Sequence, residues 1–143
     1  MLDFTDQPYR FFPPKPNRLI IGLAKLLNHR FVLPGPKHRL THMQLRNAER
    51  VLSLCQSGQR CLFLPNHSTH SDPQLMLDVQ RRLRINCHTM AAYDVFQRSS
   101  WQAWFMQSMG CFSIDREGND SQAMKTAVDL LVNRLPLTIY PEG

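Results

Sequence analysis

The sequence predicts an α/β protein, a mostly parallel sheet flanked by helices, and three observations carry that expectation. Short apolar runs of strand length alternate with amphipathic stretches of ten or more residues, the signature of crossover units. Turn and cap residues fall at the junctions between them. Clustered acids, bases and arginine follow three of the four expected strands, where ligands sit in open α/β sheets. The expected order after residue 40 is α-β-α-β-α-β-α-β.

Taken in order, the first 40 residues are Pro-rich and irregular ("QPYRFFPPKPNR", then "LPGPKHR") and enclose "LIIGLAKLLNHRF", Leu19 to Phe31. That inner segment reads as a short helix with two open placements, in a membrane interface or packed on the domain as a lid, with the interface slightly favoured. Thr41-His-Met-Gln44 has the form of a capping box, and Leu45, Ala48, Leu52 and Cys55 recur at helical spacing up to Gly58. A helix is therefore expected over about 42–56. "RCLFLP" reads as a strand, "PQLMLDVQRRLR" after Asp72 as a helix, and "INCHTMAA" as a second strand. Ser99 or Ser100 can cap "WQAWFMQSM", which Gly110 closes. "CFSI" is the third strand, "DSQAMKTAVDLLVNRL" a helix with Ala123, Ala127, Leu130 and Leu131 on one face, and "PLTIY" the fourth strand.

A chain of 143 residues with 43% hydrophobic content is the size of one ordinary domain. Its longest uncharged apolar run, Leu19 to Ala24, is far short of the roughly 20 residues needed to cross a bilayer, and no signal-peptide layout opens the chain. No transmembrane helix is predicted, and a cytoplasmic protein is expected. Cys55, Cys61, Cys87 and Cys111 show no CxxC spacing and read as reduced, buried thiols. Residues 1–50 hold nine Lys/Arg against three Asp/Glu, whereas residues 51–143 hold eight of each, so the whole +6 excess is N-terminal. Such a patch suits an anionic surface or is a solvated basic face. Nucleic acid has only this charge in its favour, without a motif or an aromatic-basic platform.

The densest chemistry is "LFLPNHSTHSDPQ", Leu62 to Gln74. As a plain helix opening, Asp72 is the N-cap and Pro73 the first helical residue, which leaves His67 and His70 unexplained. As a metal site it has the wrong spacing: the H-x-H-x-D-H pattern of metallo-β-lactamase-like hydrolases needs histidines at 68, 70 and 73, where Ser68, His70 and Pro73 stand. No metal is expected. As a His-Asp pair, His67 takes a proton from an alcohol while Asp72 fixes its tautomer and steadies the imidazolium that forms. The helix dipole favours the Asp72 carboxylate, so cap and orienter are expected to be one residue. No Gly-x-Ser-x-Gly elbow supplies a protein nucleophile, and a substrate hydroxyl is the simpler target.

His67-Ser-Thr-His-Ser-Asp72 resembles the H-x4-D motif of the glycerolipid acyltransferases, the glycerol-3-phosphate and 1-acylglycerol-3-phosphate acyltransferases. "GCFSIDR", Gly110 to Arg116, and "YPEG", Tyr140 to Gly143, resemble that family's second and third motifs, with Ser113 in place of a bulky apolar residue and Tyr140 in place of Phe. The resemblance covers residues 41–143, leaving 1–40 as a basic N-terminal segment, membrane-interfacial on the favoured reading. It implies that His67 is the general base and Asp72 its holder, that Arg116 binds the acceptor phosphate, and that Glu142 and Gly143 shape the acceptor pocket. It further implies an acyl-CoA or acyl carrier protein donor, a lysophospholipid or glycerol phosphate acceptor, no bound cofactor, and a peripheral place on the cytoplasmic face of a membrane in phospholipid biosynthesis. The family continues beyond the third motif, so the C-terminal part of its fold is expected to be missing, with sheet edge and core left uncovered. The rival readings are a non-catalytic lipid- or CoA-binding fragment and, more remotely, a His/Asp metallohydrolase.

Overall fold

The computed structural model describes residues 8–142. Four strands, β1 (Leu62–Phe63), β2 (His88–Ala92), β3 (Cys111–Ile114) and β4 (Leu137–Thr138), form one all-parallel sheet in the order β1-β4-β2-β3. Leu62 and His88 both pair with Leu137, and Thr89 to Ala92 pair in step with Cys111 to Ile114. The expected α/β class is the observed one. β4 inserts between β1 and β2, so the fourth strand is interior and the sheet edges are β1 and β3.

Among the described residues six α-helices accompany the strands: α1 (Arg18–Leu27), α2 (Ala48–Gln56), α3 (Asp72–Leu83), α4 (Tyr93–Gln97), α5 (Ser100–Ser108) and α6 (Ser121–Val132). Successive strand residues face opposite ways, and the core divides accordingly. Phe112 and Leu137 pack with Ala123, Ala127 and Leu130 of α6, while Cys111 packs with Phe96 and with Ala103 of α5. The connection through α6 runs back across the sheet, and right-handed crossover puts it on the face opposite α5.

Local chemistry explains most boundaries. The Ser99 side chain accepts from the Gln102 N–H at 3.1 Å and the Asp120 carboxylate from the Ala123 N–H at 2.9 Å, satisfying donors that open α5 and α6. Gly110, at φ +84, ends the turn between α5 and β3. The helix expected over 42–56 begins only at Ala48. Asn47 is left-handed at φ 57, and the Met43 carbonyl accepts from Arg82 Nη1 at 2.9 Å instead of serving a helical turn. The cysteine expectation holds in part, since Cys87 and Cys111 are buried thiols whereas Cys55 and Cys61 are half-buried, their sulfurs 3.6 Å apart.

The N-terminal segment packs on the domain. Phe11 joins the α6 side of the core and Phe12 the α5 side, where it stacks on Phe96 with ring centroids 5.1 Å apart. The Ser113 N–H donates to the Phe12 carbonyl at 3.1 Å, and the Phe12 N–H donates to Ser113 Oγ at 2.8 Å. This strap lies on the β3 edge, and the Tyr9 hydroxyl fastens its start to Asp120. Burial, and after it the same bond, pushes the Tyr9 phenol up to about 12. Ser113, smaller than the residue its motif resemblance leads one to expect, thus has a purpose in holding the strap. Beyond it, α1 is followed by a π-helical turn, Asn28–Val32. Lys25 reaches the Ile85 carbonyl at 2.6 Å, and Asn28 donates to the Gln74 carbonyl at 2.9 Å.

Candidate active site

All four strands point their carboxyl ends the same way, which gathers the segments after them along one edge. His67 follows β1, Tyr140 and Glu142 follow β4, Asp94 follows β2, and Arg116 follows β3. His67 and Arg116 therefore follow the two outer strands, whose axes lie three spacings or roughly 14 Å apart.

His67 and Asp72 meet. Nδ1 lies 3.3 Å from Asp72 Oδ2, and the histidine side chain keeps 37% of its surface open while the aspartate keeps 14%. Asp72 differs from the expected N-cap: Ser71 holds that place without a side-chain bond to the helix, Asp72 is the first helical residue and Pro73 the second. The carboxylate turns backward instead. It accepts from the Thr69 N–H at 2.7 Å and the Thr69 hydroxyl at 2.8 Å, clasping the loop that carries His67. The Thr69 peptide N–H, the largest influence, together with the Thr69 hydroxyl, the Ser68 peptide and His67, outweighs partial desolvation and holds the Asp72 carboxyl below its ordinary range. An ionised carboxylate on Nδ1 selects the tautomer whose Nε2 is unprotonated, leaving a base on the open side of the ring.

Tyr140 packs on that ring with centroids 5.0 Å apart, and its hydroxyl donates to the Asp72 carbonyl at 3.4 Å. Burial, then the Asp72 charge, pushes its phenol up to about 12, so it stays neutral as a wall of the site. Glu142 Oε2 accepts from the His67 N–H at 3.4 Å, a contact with the histidine loop itself. Arg116 Nη2 lies 3.6 Å from Asp94 Oδ1, both side chains being more than half exposed. Gly143, the remaining expected site residue, lies outside the described residues. His70 is exposed. A cavity of about 1250 Å³ runs between the strap and α4–α5 and reaches this edge at Tyr93 and Asp94, without His67 in its lining.

Sequence reasoning missed Thr69, whose signal was a hydroxyl residue three positions before an aspartate. It also passed over Asp94, which stands in "YDVF" after β2, where no motif marks the aspartate. Among the described residues no three His, Cys, Asp or Glu side chains are grouped as a metal site requires, and no helix is long and apolar enough to cross a membrane.

An imidazole backed by Tyr140, an anchored carboxylate and an arginine at one end of the sheet suit transfer to a hydroxyl on a charged acceptor. No match is found among curated proteins or among solved structures. A family model described as Acyltransferase matches residues 41–143, which take in the whole sheet and every residue of this edge. The chain belongs to the acyltransferase family and is an acyltransferase enzyme.

Proposed function

We propose that the protein transfers an acyl chain from acyl-CoA or acyl carrier protein to a hydroxyl of a phosphate-bearing glycerolipid, such as 1-acylglycerol-3-phosphate, in phospholipid biosynthesis at the cytoplasmic face of a membrane. The observation that carries this reading is the His67–Asp72 pair, open to solvent on one side and fixed by Thr69 on the other. His67 Nε2 takes the proton of the acceptor hydroxyl as its oxygen attacks the thioester carbonyl. The tetrahedral intermediate then expels the thiolate, which takes the proton back from the imidazolium. Atoms and charge balance without a cofactor. Asp72 holds the ring and offsets its transient positive charge.

Arg116 binds the acceptor phosphate. A planar, permanently charged guanidinium makes paired hydrogen bonds to phosphate oxygens. Glu142 fixes the His67 loop through the His67 N–H, and Gly143 completes the acceptor pocket. The test is thiol release from acyl-CoA in the presence and absence of 1-acylglycerol-3-phosphate. Release that requires the acceptor is expected. Equal release in both, or none with any phosphate-bearing glycerolipid acceptor, contradicts the proposed reaction.

A further inference from the structure

The five residues between Cys55 and Cys61 fold the chain back on itself. Gly58, at φ +73, takes the left-handed angle that reverses the direction after α2. The N–H groups of Ser57 and Gln59 meanwhile donate to the Ser53 and Leu54 carbonyls at 2.9 and 3.3 Å. Cys61 then enters the sheet edge, where its carbonyl accepts from the Leu137 N–H at 3.1 Å. The turn therefore sets the end of α2 against the start of β1 and brings the two sulfurs to 3.6 Å, van der Waals contact. An S–S bond asks for roughly 1.5 Å of further approach, within the reach of side-chain rotation.

Of the four cysteines, only these two are partly open to solvent. Burial pushes the Cys87 and Cys111 thiols up to about 12, which keeps them protonated bystanders. Burial, then the bond to Cys61, pushes Cys55 up to about 11, so Cys55 keeps its proton and its S–H donates to the Cys61 sulfur. Cys61 is thereby the attacking sulfur and Cys55 the resolving one. The surroundings are cationic. From Arg50 to Ser71 the chain has no Asp or Glu, Arg60 stands exposed beside Cys61, and an Arg134 guanidinium nitrogen lies 3.3 Å from where a Cβ on Gly58 would sit. An acidic reagent suits such a turn.

We propose that Cys55 and Cys61 form a reversible disulfide by exchange with an acidic low-molecular-weight disulfide, and that this bond staples α2 to the β1 edge. The Cys61 thiolate attacks one sulfur of the external disulfide, whose S–S bond breaks. One thiol leaves with the proton that Cys61 gave up, and the other half stays on Cys61 as a mixed disulfide. The Cys55 sulfur then attacks Cys61 Sγ, and the second thiol leaves with the Cys55 proton. The protein has lost two electrons and two protons, and the external disulfide has become two thiols. The staple matters to α2 because none of its nine residues is buried. A helix so lightly packed opens readily, and a cross-link at its last turn limits the opening.

The test uses the full chain, reduced and freed of reductant, then incubated with glutathione disulfide, quenched in acid and unfolded for a count of free thiols. It reads sulfur chemistry alone, independently of acyl transfer. The four thiols are expected to fall to two, with no glutathione retained, with Cys55 joined to Cys61 in peptide maps, and with all four restored by dithiothreitol. Cys55→Ser, which lacks the resolving sulfur, should keep one glutathione on Cys61, and Cys61→Ser should react at least about tenfold more slowly. Amide hydrogen exchange across α2 should slow about tenfold in the oxidised wild type and stay unchanged in Cys61→Ser. The wild-type count and map read the bond even where a serine variant folds poorly. Four thiols surviving the incubation, a stable glutathione adduct on the wild type, or a bond to Cys87, to Cys111 or between two chains would overturn the proposal. A Cys55–Cys61 disulfide that leaves exchange in α2 unchanged would overturn the staple.

Discussion

An imidazole with two nitrogens is a base only at the one without a proton, and in this site Asp72 decides which. Asp72→Asn keeps the shape of the side chain but removes the charge that selects the tautomer. It is expected to slow transfer by about 10²–10⁴-fold with little change in secondary structure, as steady-state kinetics beside circular dichroism would show. Arg116→Ala is expected to raise the acceptor KM about tenfold or more, leaving the donor KM unchanged and the melting temperature within a degree or two. An unchanged acceptor KM would remove Arg116 from phosphate binding. The His67–Asp72 pair was legible in the sequence because both residue types carry chemistry and stand at a spacing a loop can close. Thr69 was not: hydroxyl residues are common in loops, and only the fold turns this one's N–H and hydroxyl toward the carboxylate.

At the scale of elements, caps and stops were the reliable text. Ser99, Asp120 and Gly110 each mark a boundary with a stated hydrogen bond or backbone angle, and α5, β3 and α6 lie where those residues say. The capping-box pattern at Thr41 misled because tertiary contacts claimed the segment first, with Met43 bonded to Arg82. The five-residue α4 was too short for any periodicity to announce it. Gly110 offers a direct test. It has φ +84, and an added Cβ would meet the His88 ring at 3.4 Å, close to ordinary contact, so backbone conformation sets the cost of Gly110→Ala. A loss of about 1–2 kcal/mol in urea unfolding is expected, with the denaturant slope unchanged.

Over the whole molecule, class and helix–strand order were legible, but strand order was not. Nothing local in "PLTIY" says that it slots between the first two strands; that follows from the register of Leu137 with both Leu62 and His88. The strap was equally opaque, since "YRFFPP" reads as irregular chain and gains meaning only when Phe11 and Phe12 straddle a sheet edge. One global property follows from the buried His88, whose Nδ1 has no hydrogen-bond partner and whose proton affinity burial lowers. Below the ordinary histidine value of about 6.5 the unfolded chain binds a proton that the folded chain refuses, so stability rises with pH there and falls on acidification. The lowered carboxyls of Asp72, Asp78 and Asp120 act later: their contribution is present above the ordinary carboxylate range and is lost only as pH falls through it. In the window below about pH 6.5 and above the carboxylate range, acidification is expected to lower stability through His88, and His88→Leu should flatten that loss. Thermal melts across that window provide the check.

The most direct measurement is the rate of acceptor-dependent thiol release by His67→Ala beside the wild type, with circular dichroism and melting recorded on both. His67 is partly exposed and supports no core, so the account predicts a folded protein whose transfer rate has fallen by about 10²–10⁴-fold. A folded His67→Ala protein that releases thiol at the wild-type rate would contradict it.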